Sequence, residues 1–144
     1  MSLFVGGLLA SCSHPSEPTT EKPVSSDYIV AAYIWPSCHD DSLAHTYLWD
    51  QGEGEWEIIK KGTPRFEGHY QPKQPLWGYE PDNDPQVVER WIQTALAHGV
   101  NTFVYDWYWF KNGPYLESAL NDGFLKAPSN QQMNFYIMWA NHTV

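Results

Sequence analysis

Two carboxylates stand out against an aromatic background. Asp106 lies inside the run Val104-Tyr105-Asp106-Trp107-Tyr108-Trp109-Phe110, and Glu55 sits next to Trp56 in Gly54-Glu55-Trp56. A charge within a buried apolar run is costly unless it is hydrogen-bonded or put to work, so Asp106 is the first candidate for chemistry. The structural alternative for a single Asp is to cap a loop or pair with an arginine. As a pair, carboxylates suit proton transfer to and from an acetal oxygen. One gives a proton while the other attacks or activates water, at a separation of about 5 to 9.5 Å. Cys38 is a weaker candidate, because no His–Asn or His–Asp pattern supplies a base for it; a small buried side chain is the simpler reading. His39, Asp40, Asp41 and His45 could be drawn as metal ligands, but their spacing fits no standard site and they read as solvated loop residues. No metal or cofactor is expected.

The elements that must position these groups follow from periodicity. Strand alternation places Thr102, Val104, Asp106 and Tyr108 on one face, and Phe103, Tyr105, Trp107 and Trp109 on the other. Tyr28 to Trp35 is an unbroken apolar run, the pattern of a strand covered on both faces. Pro36 ends it. A long loop from Ser37 to about Asp82 then carries many polar and aromatic side chains, and ordered loops of that length are usually functional. Asp84-Pro85 opens a helix with Val88, Trp91, Ile92, Ala95 and Leu96 on its buried face, closed by Gly99. A turn at Asn112-Gly113-Pro114 leads to a short helix over 115–122, and Met133 to Asn141 forms a third apolar strand. Strand, loop, helix, strand, helix, strand is the order of a parallel α/β fold. Pro36 to His39, Asp106 to Trp109 and Asn141-His142 then fall at the C-terminal ends of strands, where β/α barrels assemble their sites.

Composition narrows the ligand. The 144 residues carry 8 Lys plus Arg against 17 Asp plus Glu, a formal charge of -9, and this argues against nucleic acid. Aromatic residues make up 16% of the chain, with eight Trp and nine Tyr. Part of that number fills a core; flat rings beside carboxylates also suit the C–H faces and hydroxyls of sugars. The candidate sugar contacts are Trp35, His39, Trp56, His69, Tyr70, Trp107, Tyr108, Asn141 and His142, around Asp106 and Glu55. At the N-terminus, the apolar run over 1–10 ends in Leu9-Ala10-Ser11-Cys12, which resembles a bacterial lipobox although no basic residue precedes it. Residues 13–26 form a polar Ser/Thr/Pro/Glu leash that cannot bury a core. The expected organisation is a signal peptide over 1–12 with lipid on Cys12, a linker over 13–26, and a domain over 27–144 held at the bacterial envelope, on the outer membrane or periplasmic face. An ordinary secretory signal, or an N-terminal apolar strand, is the alternative.

Several segments taken in order resemble the glycoside hydrolase family-99-like domains also labelled WbsX-type glycosyltransferases. They are Tyr33 with Trp35-Pro36-x-x-His39, Gly52-x-x-Glu55-Trp56, Gly68-His69-Tyr70-Gln71-Pro72, Asp84-Pro85, Gly99, Tyr105-x-x-Tyr108-Trp109-Phe110 and Trp139-Ala140-Asn141. The resemblance implies the N-terminal portion of a (β/α)8 barrel acting on glycosides, with endo-acting mannosidases among the relatives. It also implies that Glu55, His69, Tyr70, Asp106 and Asn141 face the sugar cleft. Where that family usually follows Ala-Asn with Glu, this chain has His142, and the catalytic glutamates of its glycosidase members lie on later strands. About 250 residues are typical of a complete barrel, so about three strands and two helices are expected here.

Three functions are compatible with these residues: a glycoside hydrolase, a surface lipoprotein that holds glycans without cleaving them, and a sugar transferase using a nucleotide donor. The last would want a diphosphate site. The sequence has neither a Gly-rich phosphate loop nor a strand-end Asp-x-Asp pair, which ranks it third.

Overall fold

The computed structural model describes residues 27–111 and 113–141. The lipobox with Cys12, the leash over 13–26, Asn112 and His142 lie outside the described residues.

The central strand is β2, Thr102–Phe110, flanked in parallel by β1, Ala31–Ile34, and β4, Asn134–Trp139. Tyr33 and Tyr136 both stand opposite Val104, so the three strands share one register. This is a mixed α/β architecture around a parallel sheet, as the order of apolar runs predicts. The helix expected between Asp84-Pro85 and Gly99 is also present: α3, Pro85–Ala97, begins at Asp84, whose carboxylate accepts from the Gln86 N–H at 2.8 Å. Gly99 adopts φ +80, the left-handed conformation that releases the chain toward β2.

Three expectations need correction. The segment from Ser37 to Asp82 is not bare loop, since it contains the short helices α1, Ser42–Tyr47, and α2, Trp56–Lys60. Asp41 creates the first by accepting from the Leu43 and Ala44 N–H groups, both at 2.9 Å. The helix expected over 115–122 is replaced by a hairpin strand β3, Gly113–Tyr115, antiparallel to the end of β2, and then a π-helical turn, Ala119–Gly123. Leu116, at φ +58, is incompatible with a helix start, and its N–H donates to Asp41 at 3.2 Å.

The third correction concerns cover. α3 and the turns at Ala119–Gly123 and Phe124–Lys126 pack on one face of the sheet, closing a core of Val88, Ile92, Phe103, Tyr105, Leu120 and Phe124. Each such side chain contributes about 1.5–3 kcal/mol by leaving water. The other face and the outer edges of β1 and β4 are open: Tyr33 and every residue of β4 are exposed. The double-sided burial that the apolar runs lead one to expect is therefore absent along β1 and β4; at β2 the second face is closed, with Thr102 and Asp106 buried and Tyr108 packed against Ala44 of α1, Trp49 and Leu116.

Candidate functional site

Asp106 projects from the face of β2 opposite α3, where its neighbour Tyr108 packs against Ala44 of α1, Trp49 and Leu116, and its residue is only 4% exposed. Parallel register explains what surrounds it. Tyr33 is opposite Val104, one strand over and on the same face, and Tyr108 is two residues further along β2. The Tyr33 hydroxyl donates to Asp106 Oδ2 at 2.7 Å, and the Tyr108 hydroxyl donates to the same oxygen. Asp106 Oδ1 is buried without a hydrogen-bond partner. Both phenols resist ionisation. Desolvation of the hydroxyl and the bond to Asp106 push Tyr33 up to about 12, and desolvation with the same carboxylate pushes Tyr108 up as well. Protonated phenols can only donate here, so Asp106 is held as the acceptor.

Glu55 joins this group through Trp35. The Trp35 indole N–H and the Ser37 hydroxyl both donate to Glu55 Oε2, at 2.7 and 2.6 Å. The Trp35 ring meets Tyr108 edge to face, with centroids 6.0 Å apart and planes at 82°. A continuous path therefore runs Asp106, Tyr108, Trp35, Glu55, Ser37. Both carboxylates end on one rim, at the C-terminal ends of β1 and β2.

The loop that carries Glu55 is fastened from below. The Glu55 N–H donates to the Ser37 carbonyl at 2.8 Å. Gly54, at φ +63, lies so close to the turn that a Cβ would stand 2.1 Å from the Ser37 carbonyl oxygen. Beneath it, Asp82 accepts from the Cys38 N–H at 2.9 Å, returns its own N–H to the Cys38 carbonyl at 3.2 Å, and pairs with His39. His39 and Asp82 are each 1% exposed. Burial and the Asp82 charge push the Cys38 thiol up to about 12, which disfavours the thiolate.

The remaining candidates are dispersed. Trp107 lies on the helix-covered face, beside Trp109 and Trp139. Trp56 donates its indole N–H to the Glu80 carbonyl at 2.8 Å and, with Tyr79, lines a cavity of about 210 Å³ that also touches Asp40, Glu53 and Lys60. That cavity does not include Asp106 or Glu55. His69 stacks on Phe66 at 4.6 Å and accepts from the Arg65 N–H, and Tyr70 beside it is exposed. Asn141 follows the end of β4 and is exposed. His39, Asp40, Asp41 and His45 do not converge: His39 meets Asp82, His45 meets Asp40 at 3.0 Å, and Asp41 caps α1. No described group of three or more such side chains could hold a metal ion.

Sequence reasoning gave Tyr33 no role toward Asp106, and did not single out Ser37 or Asp82. Alternation marks Tyr33 once the parallel pairing of β1 with β2 is assumed, because that pairing fixes its face. No comparable signal marks Asp82, whose partners lie 43 and 44 residues away.

Comparison with other proteins agrees with the motif order. The chain is 27% identical over 133 residues to an uncharacterized protein WxcX of Xanthomonas campestris pv. campestris strain B100, covering 92% of this chain and 19% of that relative. A second strain's WxcX is 26% identical over the same length and share. The chain thus spans about a fifth of the length of these relatives. No solved structure matches it. Residues 30–144, which hold every described contact of Asp106 and Glu55, match the family described as glycosyltransferase WbsX. The chain belongs to the WbsX glycosyltransferase family.

Proposed function

We propose that the full protein acts on a glycan as a glycoside hydrolase, with Asp106 and Glu55 on the substrate side of a β/α barrel whose first strands are β1, β2 and β4. The observation that carries this reading is Asp106 itself: a buried carboxylate on the sheet face opposite α3, with two phenols on Oδ2 and no partner on Oδ1. An unsatisfied buried carboxylate oxygen carries a desolvation cost that a purely structural residue would have no reason to bear, which points to a working role. Tyr33, Trp35 and Tyr136 supply exposed ring faces around it. Asp106 positions or accepts a proton from the sugar, and Glu55, less enclosed, exchanges protons with the reacting oxygen or water. A barrel would pair the open edges of β1 and β4 with further strands. In the envelope reading, lipid on Cys12 and the polar leash hold this domain at a membrane surface.

The family description favours a second reading, sugar transfer. In that case the same carboxylates would bind the acceptor and activate its hydroxyl. The experiment is to express the protein from its complete gene and supply polysaccharides in one arm and nucleotide sugars with oligosaccharide acceptors in the other. Release of shortened glycans without a nucleotide donor, lost in Asp106→Asn and Glu55→Gln, is the expected result. Product formed only with the donor present would replace hydrolysis by transfer, and no glycan turnover or binding in either arm would end both readings.

A further inference from the structure

The charge around Asp106 is one-sided. No lysine, arginine or histidine among the described residues bonds to Asp106 or Glu55; their partners are tyrosine, tryptophan and serine. Several cations of the described residues are engaged elsewhere. Lys60 pairs with Glu53 at 2.6 Å, Arg90 pairs with Glu80 and lies over Trp77, and Lys111 lies over Tyr47 and Phe110. His39 is occupied by Asp82, and His45 by Asp40. An ion pair would have been the ordinary way to hold a carboxylate that is 4% exposed. Here neutral donors hold it, and no cation among the described residues offsets a carboxylate charge at this site. Oδ1 is closed to solvent, so Asp106 acts on an approaching group through its charge, which repels another carboxylate or a phosphate, while the less enclosed Glu55 can accept a hydrogen bond from a hydroxyl or an ammonium group.

Building on the glycan reading above, we infer that the sugar unit seated over Asp106 and Glu55 carries a hydrogen-bond donor and no negative charge, so the site accepts amino and neutral sugars and rejects uronic acids and phosphorylated sugars. The selection operates through a fixed field. Coulomb energy falls only as the inverse of distance, and the low dielectric beside a closed core weakens it less than water does. Exclusion of acidic units therefore does not require direct contact with either carboxylate.

The test uses the protein expressed from its complete gene and sugars that differ only in charge: glucosamine, glucose and glucuronate, with the corresponding manno and galacto sets. Binding is read by ligand-observed NMR at neutral pH and low salt, then at high salt. The expected result is that, in whichever set binds, the amino sugar binds at least as well as the neutral sugar and the uronate at least about tenfold more weakly. High salt should narrow that spread. Asp106→Asn or Glu55→Gln should bring the three ligands to within about threefold of one another, and either variant suffices if the other fails to fold. A uronate that binds as well as the neutral sugar overturns the inference while leaving the glycan reading intact. A spread unchanged in both folded variants does the same, because the discrimination then comes from another group. Failure of every sugar in all three sets overturns the glycan reading, and the inference with it.

Discussion

The two faces of β2 are built from neighbouring residues and have opposite fates. Phe103 and Tyr105 point into a closed core under α3, packed on Phe124 with ring centroids 6.1 and 5.6 Å away. Asp106 and Tyr108, one residue out of phase, point to the opposite face, where Tyr33 and Tyr108 both donate to Asp106. Strand alternation lets one nine-residue element serve both ends. The apolar face anchors the strand, and the anchored strand holds a buried carboxylate in place on the polar one. Substitutions on one face should change stability, and on the other, recognition.

The largest expected effect is on the apolar face. Phe103→Ala should cost about 4 kcal/mol of unfolding free energy, since it removes an aromatic ring from a core that cannot readily collapse around the gap. Denaturant unfolding measures it. A loss below about 1 kcal/mol would mean that this core is not what anchors β2.

Gly54→Ala comes next, at about 3 kcal/mol, because a Cβ has no room beside the Ser37 carbonyl and φ +63 disfavours it further. It sharpens the comparison, since it should also displace Glu55. Quenching or shift of the Trp35 indole signal, which reports the bond to Glu55, checks that consequence.

Tyr33→Phe should cost about 1 kcal/mol, the worth of one hydrogen bond to a charged group on a half-exposed side chain. Its pH dependence has a definite sign. The hydroxyl's ordinary value of 10 rises to about 12, so the neutral phenol is favoured in the folded protein. That contribution is complete below pH 10 and is lost as pH rises through about 12. The difference in stability between wild type and Tyr33→Phe should shrink across that window, as followed by unfolding at a series of alkaline pH values. A difference constant across the window would break the Tyr33–Asp106 assignment.

Ser129→Ala, far from either carboxylate of the site, should have the smallest effect, under about 1 kcal/mol. Ser129 donates its N–H and hydroxyl to Glu89 on α3 at 2.8 and 2.7 Å. Desolvation pushes the Glu89 carboxyl up, but these bonds outweigh it and hold it below its ordinary value of 4.5. The stabilisation is therefore present above that value and lost as pH falls through the lowered one. Acid titration of Glu89 by NMR, with and without the Ser129 hydroxyl, checks the direction.

Much of this architecture was legible because it rests on local rules. Asp84-Pro85 and Gly99 bracket α3, and apolar runs mark β1, β2 and β4. Asp106 was legible as a charge in an apolar strand. What was not legible depends on contacts distant in sequence. The β3 hairpin depends on Asp41 accepting from Leu116, 75 residues away, so Leu116 and Leu120 mimicked a helical spacing that tertiary contacts override. His39 looked like a sugar contact by its place after the β1 turn, yet its side chain lies buried against Asp82. Trp107 was counted among the sugar contacts although alternation set it on the face opposite Tyr108, and there it lies beside Trp139.

The separation of the two faces is tested most directly by Asp106→Asn in the protein expressed from its complete gene, with glycan turnover and unfolding free energy measured on the same preparation. The substitution keeps the size of the side chain and removes its charge. The account predicts a fall in turnover of about 100-fold or more, with stability changed by less than about 1 kcal/mol. Turnover within a few-fold of wild type, or a loss of activity matched by loss of the fold, would contradict it and return Asp106 to a structural role.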